Sequence, residues 1–396
     1  MTEVVVVEAV RTASGRGRPG GALSGVHPVD LLATVLSALV ERTGVDPALV
    51  DDVMAGCVSQ YQEQSMNIAR NAVLAAGWPD AVPGTTIDRQ CGSSQQALTF
   101  AAQSIAAGMN DIVVACGVES MSRVPMGSPI GGADPYGEKF AARYPEGLVG
   151  QGVAADLVAE RFGFDRAALD AYSERSHRLA DEHSRAGAFG TEIVPVDHVV
   201  DGEVVPFTRD ETIRAGTTAE GLAGLRPVFK NDAMVERFPD LTWNITAGNS
   251  SPLTDGASGV LLMSAETASR LGLKPRARIV ASAVCGDDPT IMLTAPIPAT
   301  HMVLKKAGLT LDDMDAYEVN EAFAPVPLAW AQALDADLDK LNPRGGAIAL
   351  GHPMGASGTR IFTTLLHHLE QTGGRYGLQT MCEAGGLANA TIIERI

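Results

Sequence analysis

The chain has 396 residues, of which 45% are apolar, 19% charged and 5% aromatic, with a formal net charge of −17. That length exceeds one minimal core and calls for several packed units or a duplicated fold, and the apolar fraction excludes a disordered chain. The negative charge argues against a nucleic-acid backbone as partner, and no apolar run reaches about 18 residues, so no membrane span is expected.

Taken in chain order, the opening MTEVVVVEAVRTASG sets an acid before a short apolar run and lacks a cleavage pattern. Residues 4–7 therefore read as a first, fully buried strand and not as a signal peptide. Residues 28–40 carry apolar side chains at helical spacing. A strand is predicted over 50–58, a short one over 85–87, a helix over 92–107 and a buried strand over 112–115. Strands alternating with helices predict right-handed crossovers and a mainly parallel sheet. From about 120 to 249 Pro, Gly and charged residues multiply, which reads as a long insertion over the core. Within it a helix is predicted over 165–186, capped by Asp165 and stopped at Gly187, with a strand at 192–196. Strands at 261–264 and 278–284 and a helix at 298–307 follow.

The later part repeats the earlier one. The stretch from Gly308 matches that from Gly44, 264 positions apart. The strand–turn–helix around His352 matches that around Cys91 at 261, and the strand ending in Cys382 matches that ending in Cys116 at 266. Three similar offsets in the same order imply two related α/β units.

The five cysteines, Cys57, Cys91, Cys116, Cys285 and Cys382, are too few and too scattered for a disulfide framework. No C-x-x-C suggests zinc, and a reducing cytoplasm is the expected setting. Cys91, in DRQCGSS, falls where a strand gives way to a helix, so its sulfur is expected at a helix N-terminus that favours a thiolate. By local pattern a nucleophile and a buried structural cysteine are equally good readings. His352, in GGAIALGHPMGASG, is expected where a short apolar strand feeds a glycine turn. Alone it would be structural, but the internal repeat sets it opposite Cys91, and Cys plus His is a nucleophile–base pair. Cys382, in TMCEAGG, is a core cysteine alone and a second acid/base thiol in that company. Asn320 and Glu321 end a strand, where they either orient a reactant or cap a helix. Cys57 and Cys285 read as packing residues. Neither a phosphate loop, a dinucleotide fingerprint nor a G-x-S-x-G elbow occurs.

With these motifs in hand the chain resembles the thiolase family along nearly its whole length. VVVVEAVRTASGR…GGAL looks like that family's first strand and turn, DRQCGSS its nucleophile loop, and NSSPLTDGA its central signature. NEAF and GHPMGASG match as well, and Cys382 holds the position of the last cysteine. One departure is Ala384, where the family usually has Gly two places after that cysteine.

The resemblance implies an α/β thiolase fold: a duplicated five-layer αβαβα core with an inserted loop domain. The expected division is residues 1–119 with 250–270, a loop domain over 120–249, and a second half over 271–396. It implies an acyl-CoA C-acyltransferase in which Cys91 is the nucleophile, His352 its base, Cys382 the second acid/base, and Asn320 the holder of a water. The turn at Gly385 would help the Cys91 backbone N–H bind an oxyanion. Arg214 matches an adenine-side arginine, and Leu225, Ala247, Ser251, Ala322 and Phe323 match the pantetheine tunnel. Gly150 and Gln151 replace a His-Met pair of short-chain members, while Met292 keeps a pocket-lining methionine. Coenzyme A is a co-substrate; no metal or prosthetic group is expected. The expected partners are acyl-CoA, coenzyme A and further copies of the chain, as a homodimer or dimer of dimers. Ketoacyl synthases, which normally use two histidines, and a non-catalytic thiolase-like acyl-CoA or lipid binder are the alternatives.

Overall fold

A computed structural model describes residues 2–200 and 202–396. Strand β1 (Val4–Thr12) is followed by helix α1 (Pro28–Thr43), β2 (Asp52–Gly56), α2 (Ile68–Ala75), β3 (Gly84–Ile87), α3 (Ser93–Ala106) and β4 (Ile112–Ser120). Helices α4 (Gln151–Phe162) and α5 (Arg166–Arg185) belong to the insertion, together with a hairpin of Val196–Val200 and Glu203–Phe207. Then come β5 (Thr254–Ser264), β6 (Ala277–Gly286), α6 (Pro296–Ala307), β7 (Ala316–Val319), α7 (Pro325–Leu334), α8 (Ser357–Thr372), β8 (Tyr376–Glu383) and β9 (Leu387–Arg395). Local chemistry accounts for the helix ends: Asp165 accepts from the Ala168 N–H to start α5, while Gly44, Gly163 and Gly308 end α1, α4 and α6 in left-handed conformations.

The strands run in the order β7-β8-β9-β6-β1-β5-β4-β2-β3, in which the two halves mirror one another apart from the extra strand β3 at one end. The two halves join where β1 and β6 pair. The prediction of a mainly parallel sheet needs correcting. Pairing is parallel at β7/β8, β4/β2 and β2/β3, but antiparallel through the middle, from β8/β9 to β5/β4. The reason is connection chemistry. The three residues between β8 and β9 form a tight hairpin turn, which can only join antiparallel strands. Strand β5 likewise returns from the insertion and not through a helical crossover.

Three large apolar cores stack through the described residues. One packs α1 and α2 on the outside of the first half, through Leu32, Leu36, Leu39, Ile68 and Val73. A second packs α6 and α7 on the second half, through Val303, Trp330 and Val326. The third lies between the halves, where Leu98 and Ile105 of α3 meet Phe362, Leu365 and Leu369 of α8.

Strand registers fix the internal offset. Asp52 pairs with Val113, and Ala316 with Gly377, so the two parallel pairs differ by 264 residues. Ser93 and Ser357, the first residues of α3 and α8, differ by the same amount. The sequence offsets of 261 and 266 are thus corrected: the counterpart of Cys91 is Gly355, not His352, and that of Cys382 is Val118, not Cys116.

One buried ion cluster ties the insertion to the core. Arg11 on β1 is fully buried; its Nε donates to Glu192 (2.5 Å), and Nη1 and Nη2 donate to Asp210 (2.7 and 3.0 Å). Removing the cation strands two buried carboxylates, which costs about 3–5 kcal/mol. Arg11→Met should lower unfolding stability by that amount in chemical denaturation. Arg178→Ala, which breaks an exposed pair with Glu182, should change it by less than about 1 kcal/mol.

Candidate active site

Two small-residue turns meet between the half-sheets. In the first, Asp88 accepts from the Gln90 N–H (2.7 Å), and the Ser93 hydroxyl donates to the Gln90 carbonyl while accepting from the Arg89 N–H (2.9 Å). These bonds hold Gln90 at φ 49, a left-handed conformation that a non-glycine residue adopts only when its surroundings fix it. Cys91 follows, buried at the start of α3. In the second turn Gly351 has φ 84, and a side chain there would strike Thr254. Thr254 instead accepts the His352 N–H at 3.0 Å. The stretch expected to be an apolar strand before it is a one-turn helix, Ala347–Leu350. A run of four apolar residues fits either element, and no neighbouring strand is there to pair with it.

The turns approach closely because their contact residues lack side chains. A Cβ at Gly358 would collide with the Gln95 backbone, and one at Gly117 with the Gly355 carbonyl. The Thr359 N–H donates to the Ser94 hydroxyl (3.0 Å), joining the starts of α8 and α3.

The His352 tautomer follows from counting protons. Ser357 Oγ gives its single proton to the Pro353 carbonyl (2.9 Å). It can then only accept from His352 Nδ1, at 2.5 Å. Nε2 is left with a free lone pair, faced by the Asn320 amide nitrogen at 3.4 Å. Asn320 Oδ1 is buried with no partner among the described residues, which fits a water held there. Burial, then the charge of Arg360, pushes the His352 pKa down to about 3, so the ring is neutral.

The Cys382 thiol feels Cys91. Cys382 lies at the end of β8, and its pKa is raised first by burial and then by Cys91. Burial, then the charge of Glu383, pushes Cys91 up to about 12, opposed by the Gln151 side chain and by its own backbone N–H. This corrects the expectation of a thiolate favoured by the helix terminus. Desolvation outweighs the dipole, and both sulfurs rest as thiols.

Several of the remaining predicted residues touch one another. The Ser251 N–H donates to the Ala322 carbonyl (3.0 Å), and Ser250 bridges Phe323. Phe323 stacks edge-on against Phe229, which fills the space beside Gly152. Leu225 packs on Gly248, next to the exposed Ala247. Arg214 stands apart on the surface, in a cavity of about 420 Å³ shared with Arg16, Arg18 and Leu253. Buried Met292 lies in the loop packed on the Cys382 turn, where the Asp287 N–H donates to the Gly386 carbonyl (2.7 Å). Sequence reasoning missed Ser357 and Thr254, although both fall inside quoted motifs, and it passed over Glu383.

Two layered α/β halves carry the buried thiols of Cys91 and Cys382 and the buried imidazole of His352 on turns at helix and strand ends. The thiolase N-terminal domain matches residues 4–266 and the thiolase C-terminal domain residues 273–395. The chain belongs to the thiolase family. It is 48% identical to the steroid 3-ketoacyl-CoA thiolase FadA6 of Mycobacterium tuberculosis, over 100% of this chain and 95% of that protein. It is 44% identical to a 3-ketoacyl-CoA thiolase of Idiomarina loihiensis, over 100% of both. The fold matches the crystal structure of the Bacillus anthracis acetyl-CoA acetyltransferase with a TM-score of 0.89 at 40% identity, covering 100% of this chain and 99% of that one.

The turn after Cys382 accommodates its departure from the family pattern. Gly385 and Gly386 take positive φ (82° and 76°), whereas Ala384 does not, so its methyl group meets no backbone strain. Ala384→Gly should therefore leave turnover within about twofold and lower stability by about 0.4–1 kcal/mol, through added freedom of the unfolded chain. Parallel kinetics and thermal melts check both.

Proposed function

We propose that the chain is an acyl-CoA C-acyltransferase that cleaves a 3-ketoacyl-CoA with coenzyme A through an acyl-cysteine on Cys91. It runs the reverse Claisen condensation of acetyl-CoA by the same steps. The observation that carries this reading is a buried Cys382 thiol in the field of the buried Cys91, together with a His352 whose Nε2 is unprotonated and faces the Asn320 amide.

In thiolysis the Cys91 proton passes to His352 Nε2 as the sulfur bonds to the keto carbon. The new oxyanion is met by the now protonated Nε2 and the water held by Asn320. Collapse breaks the Cα–Cβ bond, and its electron pair leaves as the acetyl-CoA enolate. Cys382 protonates that carbon. The Cys382 thiolate then takes the proton of incoming coenzyme A, whose sulfur attacks the acyl-cysteine. The Cys91 N–H and the Gly385 turn receive the second oxyanion, and Cys91 leaves to recover its proton from His352. A neutral resting site suits this sequence. Every ionisation occurs only against a substrate carbonyl or thioester, inside a medium that strengthens it.

The adenine end of coenzyme A rests on Arg214, beside Arg16 and Arg18, and the pantetheine follows Leu225, Ala247, Ser251, Ala322 and Phe323. Gln151 and Met292 line the acyl pocket. Residues 120–249 serve as the loop domain over this path.

Variants separate the roles. Cys91→Ser should abolish the acyl-enzyme seen by intact-protein mass spectrometry. Cys382→Ser should still acylate from a reactive thioester while thiolysis falls by about 10²–10⁴-fold. A Cys382 variant with normal thiolysis would remove that residue from the mechanism.

The working unit is a homodimer. Strand β3 ends the sheet with one edge unpaired among the described residues, and such an edge is a template for another strand. The exposed Tyr61 and Met66 lie in the segment leading into α2, whose N-cap Asn67 donates to the Gly84 carbonyl of β3 (2.8 Å). Light scattering should give twice the chain mass; a monomer mass would overturn the assignment.

A further inference from the structure

The 264-residue register relates two buried acids at equivalent strand ends: Glu119 on β4 and Glu383 on β8. Each crosses to the active turn of the opposite half, and their surroundings are opposite. Glu119 accepts four donors: the N–H groups of Val58 (3.0 Å), Ser59 (3.1 Å) and Gly355 (2.9 Å), and the Gln64 amide (2.8 Å). Gly355 is the counterpart of Cys91. Glu383 is fully buried, and neither of its carboxyl oxygens has a hydrogen-bond partner among the described residues. Its Oε1 occupies the space that a Cβ on Gly92 would need. The carboxyl group is thus wedged against the residue next to the nucleophile.

A buried carboxylate without donors is far costlier than a buried carboxylic acid. The groups that face Glu383 offer little compensation. Arg89, on the Cys91 turn, is the one cation acting on it, and the Asn389 backbone opposes its burial weakly. The other titratable groups within its field are the thiols Cys91, Cys382 and Cys285, and a negative charge would disfavour ionisation of all three.

We propose that Glu383 is a positioning residue for the nucleophile. As a neutral acid it packs the Cys91–Gly92 turn, and once ionised it holds Cys91 in the thiol form, so it sets the alkaline limit of the reaction. No step of the mechanism above uses Glu383. The catalytic consequence rests on Cys91 being the nucleophile, but the electrostatic claim does not.

Burial raises the Glu383 pKa to about 8, against the opposing charge of Arg89. Below that pH the acid is neutral, and Gln is a close mimic. Above it the wild type gains a charge that Glu383→Gln cannot gain, and a like charge at this range shifts a neighbour by about one unit or more. The test is the rate of Cys91 alkylation by iodoacetamide from pH 6 to 10, followed by peptide mass mapping. At pH 7 wild type and E383Q should react equally. At pH 9.5 E383Q should react about tenfold faster, and the alkaline limb of its kcat/KM should move upward. Wild type alone carries a second signature, should E383Q fail to fold. Its log rate should rise with unit slope at first, drop to a slope of about one half between pH 8 and 9, and then steepen again. Unit slope throughout in wild type, or superimposable profiles for the two proteins, would overturn the proposal. Absence of thiolysis with normal alkylation behaviour would instead overturn the assigned function and leave the electrostatic claim standing.

Discussion

The site depends on how closely two backbone turns approach between the half-sheets. Gly56, Gly117, Gly355 and Gly358 stand at the crossing, and a methyl group on any of them would meet backbone of the opposite half. Glycine here is a matter of distance, not of unusual φ. Without that approach the Ser94–Thr359 hydrogen bond, which joins the starts of α3 and α8, could not form. The layered cores exist in the service of this contact. Each outer core holds its half-sheet flat against the shared inner layer, and the inner layer brings the two helix starts together.

Closeness brings dehydration, and dehydration decides the electrostatics. Burial pushes both sulfurs up and the imidazole down, so all three groups rest neutral. A thiolate–imidazolium pair would be charged in a place with little water to stabilise it. The neighbouring polar side chains have correspondingly specific jobs. Ser357 fixes which ring nitrogen is bare, Thr254 fixes the turn that carries the ring, and Gln151 is the side chain that favours the Cys91 anion. The site is prepared for charge that appears only with substrate.

Much of this was legible in the sequence, and the failures have physical causes. The Cys91 and His352 turns stood out because small residues flank a reactive one, and that flanking is what close approach requires. The buried strands were legible as β-branched runs, but their direction was not. Direction depends on connections, and a hairpin turn such as residues 384–386 looks locally like any other glycine turn. The repeat was visible while its register was not: Cys116 and His352 drew the eye as chemical matches, whereas backbone pairing answers to hydrogen bonds and relates Val118 and Gly355 to the site instead. Helix α4 was overlooked inside a glycine- and charge-rich stretch, although Gln151 at its start favours the Cys91 anion. Glu383 was passed over because the cost of a charge depends on burial, which no single residue announces.

The corrected register explains why a duplicated fold carries one site and not two. Cys91 corresponds to Gly355, Asn320 to Gly56, Cys382 to Val118 and His352 to Asp88. At the first three pairs one half holds the polar or thiol group and the other a glycine or an apolar side chain; at the fourth, the counterpart of the imidazole is a carboxylate that holds the Gln90 turn. The unreactive members are packed: a side chain at Gly355 would strike Cys57 and the Val118 carbonyl, and one at Gly56 would strike Ser94 and the Gly355 carbonyl. The pseudo-symmetric second site has therefore collapsed into backbone contact, and Glu119 seals it with four hydrogen bonds. Its twin Glu383 meets the Cys91–Gly92 turn with no hydrogen-bond partner on either oxygen among the described residues, so the acid that is a staple on one side is unpaired on the other.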